Sequence, residues 1–175
     1  MFLQRKYLKL LFCLVNFIVS PLVLLSQDTV KTYTTVRITD NIKIDGLLDE
    51  PSWKEAPLMN HFFQWQPNEG TSPDHPMEVR ITYDNTAIYI GAICYDSAPD
   101  SILKELGARD ASEINADYIR VGIDPYNNHQ DAYFFGVYAS GVQFDNKVSD
   151  PTYDAVWESQ VKITEQGWVA EIKIP

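Results

Sequence analysis

The sequence predicts an all-β domain, a β-sandwich or jelly-roll of antiparallel sheets with one or two short helical turns. Three observations predict it. Apolar and polar residues alternate in short runs, most clearly at Val79, Ile81 and Tyr83 and again at Ile88, Ile90 and Ala92; this is the period of a half-buried strand. Turn residues join neighbouring runs as hairpins, at Asp84-Asn85, Ser140-Gly141 and Glu165-Gln166-Gly167. Helical periodicity is weak and confined to residues 51–56 and 101–106. Many short strands with regular turns are the signature of a sandwich rather than of a parallel α/β sheet.

Taken in order, the predicted strands are residues 33–38, 42–44, 62–65, 78–83, 87–95, 118–124, 132–138, 142–145, 158–163 and 168–174. Residues 42–53, I-K-I-D-G-L-L-D-E-P-S-W, carry the densest local signal. Ile42, Lys43 and Ile44 alternate. Asp45-Gly46 is a turn pair, because Gly favours positive φ and Asp tolerates it. Asp49-Glu50-Pro51 starts a helical turn, with a carboxylate for the free N–H groups and Pro at the first helical position. Trp53 follows as a large anchor. Two long connections, 67–76 and 99–115, are of the length that is often functional in a compact domain.

The first 26 residues read as a secretory signal peptide. Arg5, Lys6 and Lys9 form a basic start, and residues 10–25 are apolar apart from Asn16, Ser20 and Pro21. An uncleaved anchor is the alternative, although the apolar run is near the lower limit for spanning a bilayer. The predicted product is exported: periplasmic, outer-membrane-associated or extracellular. Residues 27–175 form one domain, long enough for a real core. The whole chain has 24 acidic and 14 basic residues, a formal charge of −10. Three of the basic residues leave with the leader. An acidic surface argues against nucleic acid and anionic membranes, and is compatible with neutral ligands or bound cations. Cys94 is then the one cysteine of the domain; it cannot form an internal disulfide and sits in a strand as an inert thiol.

The register of Ile42, Ile44, Asp45, Gly46, Leu48, Asp49, Glu50 and Trp53 resembles the opening motif of the family 9 carbohydrate-binding modules. The likeness continues more loosely at residues 78–96, 117–125 and 167–175, so it spans roughly residues 30–175. It implies a β-sandwich that holds sugar between aromatic side chains and does not itself cleave it. It also implies a larger parent: a carbohydrate-processing enzyme that hydrolyses glycosidic bonds, or a protein with an outer-membrane-associated region after this domain. The family's domain usually continues beyond a strand like the one before Pro175, so the resemblance implies truncation there. A structural domain of an outer-membrane-associated protein, with no sugar site, is the competing expectation.

Sugar recognition needs flat aromatic faces and planar polar groups for paired hydroxyls. Trp53 and Trp168 sit within predicted packed elements. Trp65, bordering the long Pro/Gly loop, and Trp157, preceding a strand, are the candidate stacking platforms, with core packing as the alternative for both. Arg109 is the candidate hydrogen-bonding fork; an ion pair with Asp110 is its alternative. Asp145, Asp150 and Asp154 cluster in sequence and are candidate oxygen ligands for calcium, which the resemblance also implies; a solvated acidic loop is the alternative. His61, His75 and His129 lack metal-ligand spacing, and Ser140-Gly141 is a turn rather than a nucleophile elbow. Nothing in the motifs points to catalysis by this domain.

Overall fold

A computed structural model describes residues 31–111 and 113–175; the predicted leader lies outside the described residues. Two sheets are built within Tyr33–Pro175. One has five strands in the order β1 (Val36–Arg37), β2 (Met77–Tyr83), β3 (Ile88–Tyr95), β8 (Gly167–Ile174) and β7 (Glu158–Thr164). The other has three, β4 (Tyr118–Ile123), β5 (Tyr133–Tyr138) and β6 (Gln143–Lys147), in sequence order. All pairs are antiparallel except β1 with β2. The one described α-helix is the predicted turn, α1 (Pro51–Glu55). Among the described residues no helix is long and apolar enough to cross a membrane.

The strand period dictates the layers. Ile90 and Ala92 of β3 and Ala170 and Ile172 of β8 point to one side of the five-stranded sheet. There they meet Ile119 of β4 and Phe135 and Val137 of β5, and these residues form the main core between the sheets. Trp157 and Trp168 belong to that core, each 5% exposed. The alternate residues of β3 and β8 point the other way. Tyr89 of β3 joins a second cluster there with Ile38, Ile42, Trp53 and Ala87, which covers that side, with Ile44 and Leu48 beside it.

That second layer explains the motif at residues 42–53. Glu171 of β8 is fully buried on the outer face of the five-stranded sheet. Its Oε2 accepts the backbone N–H groups of Asp45 (2.8 Å) and Gly46 (2.7 Å), and its Oε1 accepts the Trp53 indole N–H at 3.1 Å. Gly46 stands at φ 81°, which is open to glycine at no steric penalty. The turn therefore aims two donors at one carboxylate, and the helical turn swings the indole to the other oxygen. Residues 42–44 make no ladder, contrary to the strand predicted there. Their alternation reflects packing onto the face of a sheet, with Ile42 buried and Lys43 exposed.

Space for this layer comes from Gly91 on β3. A Cβ there would meet Leu48 Cδ2 at 2.7 Å and Trp53 at 3.1 Å. Gly91→Ala is expected to push the motif off the sheet and cost about 1–3 kcal/mol, the range for overpacking a well-filled site; urea unfolding checks this.

Two other expectations need correction. Residues 62–65 are not a strand; the bridge to β2 is made earlier, between Met59 and Val79. Residues 101–106 are not a helix. A 3-10 turn at Pro99–Ser101 opens the segment, and Lys104 then bridges Ala116. The predicted Asp84-Asn85 turn is present: Asp84 accepts N–H bonds from Thr86 (2.6 Å) and Ala87 (2.9 Å) and the Tyr89 hydroxyl at 2.9 Å. These donors, Thr86 foremost, pull its carboxyl down to about 2. Burial pushes the Cys94 thiol up to about 12, which leaves it unreactive at neutral pH.

Candidate carbohydrate site

The outer face of the three-stranded sheet is open. Register puts Tyr118 opposite Tyr138, Arg120 opposite Gly136, Gly136 opposite Phe144 and Phe134 opposite Asn146, so all these residues share that face. The Tyr118 and Phe144 rings meet edge-on at 5.6 Å, as do those of Tyr118 and Tyr138, while Tyr138 and Phe144 are tilted at 4.9 Å. Tyr118 is 57% exposed and Tyr138 8%. The Arg120 guanidinium lies 4.5 Å above the Phe134 ring, a cation–π placement. A Cβ at Gly136 would overlap the Phe144 ring, and one at Gly122 would come within 2.7 Å of Phe134. The rings thus lie down over the glycines and leave a trough.

The trough encloses about 380 Å³ between this face and Asp110, Ala111 and Ile114. It is lined by Asp110, Ala111, Ile114, Tyr118, Arg120 and Phe144, with Asn146 at one end. It offers an exposed aromatic ring, a guanidinium and a carboxamide together, the combination that recognises a ring with an apolar face and polar edges. A larger groove of about 480 Å³ runs beside the β2–β3 hairpin. Its walls are mainly apolar, and Asp84, its carboxylate, is occupied by the hairpin turn. The trough is therefore the better ligand site on chemical grounds, although it is the smaller of the two.

The sequence-predicted site residues fall in three different settings. Trp65 is 75% exposed. Its loop is tied by bonds from the Gln64 N–H to the Thr71 carbonyl and from the Gly70 N–H to the Gln64 carbonyl, each 2.9 Å. Trp157 has no ring face to offer. It is buried edge-on against Phe135 at 5.7 Å, and its indole N–H donates to Asp145 Oδ1 at 2.9 Å. A tryptophan placed next to a strand of the core was better used there than on the surface. Arg109 is partly exposed, but its guanidinium is taken up by the fold. Its Nη2 donates to Asp145 and to the Ala155 carbonyl, its Nη1 to Gln143 at 3.1 Å, and its Nε lies 3.4 Å from Asp110. The ion pair with Asp110, weighed from sequence, is present as part of a larger network.

The predicted acidic trio does not form as drawn. Asp150 folds back on its own turn, accepting from the Thr152 N–H at 2.9 Å and the Thr152 hydroxyl at 2.7 Å. Asp110 takes its place beside Asp145 and Asp154. Calcium needs six to eight oxygen ligands, but the Asp145 oxygens already accept from Arg109, from the Trp157 indole and from the Ala155 N–H. A guanidinium supplies the positive charge among these carboxylates, and the donor set does not fit a calcium ion. Asp110 was legible only through its neighbour Arg109. Tyr118 and Arg120 were missed, although a strand reading Y-I-R-V-G-I sets an aromatic, a cation and a glycine on one face.

The family model described as carbohydrate family 9 binding domain-like matches residues 44–175. The chain belongs to this family, and the resemblance read from residues 42–53 holds. Among solved structures, two describe a carbohydrate binding module family 9 from Caldicellulosiruptor kristjanssonii. The one in complex with cellotriose has a TM-score of 0.55 at 16% identity, covering 79% of this chain and 65% of that one. The one in complex with glucose has a TM-score of 0.54 at 14% identity, covering 79% and 68%. The chain thus spans about two thirds of the length of these neighbours, and at such identity they share its fold. A search of curated proteins returns no match.

Proposed function

We propose that this domain is an exported carbohydrate-binding module that holds a glycan without cleaving it. The glycan lies in the trough over Tyr118, with Arg120 and Asn146 hydrogen-bonding its hydroxyls, and Trp65 supplies a second stacking surface from its loop. The observation that carries the reading is the trough itself. An open sheet face has no structural need for an exposed tyrosine, an arginine laid over a phenylalanine and two glycines beneath rings. The family and the sugar complexes of its structural neighbours support the same ligand class. The module would serve a larger carbohydrate-processing protein by raising the local concentration of its substrate.

Trp65 is the exposed tryptophan among three buried ones, so tryptophan fluorescence should report ligand near its loop. Glucose, cellotriose and a wider oligosaccharide panel are titrated into the protein, with calorimetry in parallel. Saturable binding is expected. Tyr118→Ala and Trp65→Ala are each expected to weaken it about ten-fold, the equivalent of roughly 1.4 kcal/mol. A folded protein that binds nothing across the panel would turn the reading to a structural domain of an outer-membrane-associated protein.

A further inference from the structure

We infer that Arg109 is the built-in cation of this domain: it locks the wall of the trough and makes that lock independent of metal. Arg109 Nη2 pairs with Asp145, whose side chain is fully buried, and lies 3.3 Å from Asp154 Oδ1. The same nitrogen donates to the Ala155 carbonyl at 2.6 Å, and Nη1 reaches Gln143 on β6. One planar group thus ties the 154–155 loop and β6 to the segment that carries residue 109. A guanidinium suits this because its donors leave in a rigid fork.

The next residue is the wall. Asp110 stands at φ 61°, a left-handed conformation that needs support in a residue with a Cβ. The support is reciprocal bonding to β6. The Asp110 N–H donates to the Gln143 carbonyl at 3.1 Å, and Asp110 Oδ1 accepts the Asp145 N–H at 2.8 Å. Asp110 and Ala111 then line the trough. Arg109 does not line it; it is a positioning residue. Without the guanidinium, three carboxylates whose oxygens lie within 4.8 Å of one another would repel, and the segment carrying Asp110 would leave β6. The consequence for glycan binding rests on the trough being the glycan site; the lock itself does not.

Amide hydrogen exchange tests the lock without a ligand. In the wild type the Asp110 and Asp145 amides should exchange at the same rate with calcium chloride as with EDTA. In Arg109→Met both should exchange at least about ten-fold faster, while the β3–β8 amides keep their protection. Arg109→Lys, which keeps charge but not the fork, should fall between; it also carries the test if the methionine variant does not fold. Unchanged protection in these variants, or faster exchange of the wild type in EDTA, would overturn the inference. Cellotriose calorimetry separates the two readings. Arg109→Met should weaken binding about ten-fold while Asp110→Ala absorbs most of that effect in the double mutant, whereas additive effects would count against action through Asp110. If the wild type does not bind cellotriose but the exchange result stands, the lock is retained and the glycan reading is what fails.

Discussion

Glu171→Ala is expected to destabilise the domain by about 3–5 kcal/mol, because three buried N–H donors lose their acceptor at once. The substitution leaves the Asp45 and Gly46 N–H groups and the Trp53 indole N–H facing a cavity where an oxygen had stood. Each buried unpaired donor costs about 1–3 kcal/mol, and relaxation of the 42–53 segment recovers part of the sum. Glu171→Gln is the milder probe. Its carbonyl oxygen can keep the two backbone donors, but its NH2 group then confronts the indole N–H. Burial raises the Glu171 carboxyl above the ordinary glutamate value of 4.5, with its three N–H partners opposing. The sign follows from that direction. A raised folded value means that this group's contribution is fully present below about pH 4.5 and is lost as pH rises through the raised value. The stability advantage of wild type over Glu171→Gln should therefore shrink across that window. Urea unfolding of both proteins from pH 4 to 8 measures it, and an advantage that grows with pH would contradict the assignment.

Asp145→Ala is the second large effect, expected at about 2–4 kcal/mol by the same reasoning. It removes the acceptor of the Trp157 indole and of the Ala155 N–H, and the partner of Arg109. The figure is lower than for Glu171 because Arg109 is partly exposed and can turn to Asp154 or Asp110. Unlike Glu171→Ala, it should also weaken binding in the trough: the two Asp110 bonds to β6 run to backbone groups and survive, but Arg109, which holds the wall beside them, loses its buried partner. Thermal melts and cellotriose calorimetry on the two variants separate the effects: both should lower Tm, and Asp145→Ala alone should change affinity in protein shown to be folded.

The strands were legible where a residue's burial is decided by its own sheet. Residues 78–83, 87–95, 118–124, 158–163 and 168–174 read as the strands they form because alternation and turn chemistry are local. The failures share one cause. Residues 42–44 alternate as a strand does, yet their neighbour is the flat face of another sheet, and nothing local distinguishes a face from an edge. Residues 101–106 had weak helical periodicity, but the bridge from Lys104 to Ala116 pulled them straight. The site was less legible than the fold for the same reason. Trp157 and Arg109 look like ligand-binding types, and only the carboxylate of Asp145, many residues from Arg109, engages both. Sequence spacing grouped Asp150 with Asp145 and Asp154, whereas a turn at Thr152 removed it and hydrogen bonds from a turn to β6 brought in Asp110. For Trp65 the sequence left core and surface open, and the structure sets it 75% exposed beside the Pro/Gly loop.

The glycines beneath Phe134 and Phe144 bear on how much order a ligand must create. A ring resting on bare backbone has few rotamers left, and Tyr118 is braced against one such ring, Phe144, and against the buried Tyr138. Immobilising a free side chain at an interface typically costs about 0.5–1.5 kcal/mol each, and here that loss is largely incurred when the chain folds. If the glycan lies here as proposed, the face is preset, and a ligand need not first organise its own receptor. The same rigidity limits adaptation: a methyl group added at either glycine would lift a ring and reshape the floor, so the recognised outline is encoded in two positions that carry no side chain at all.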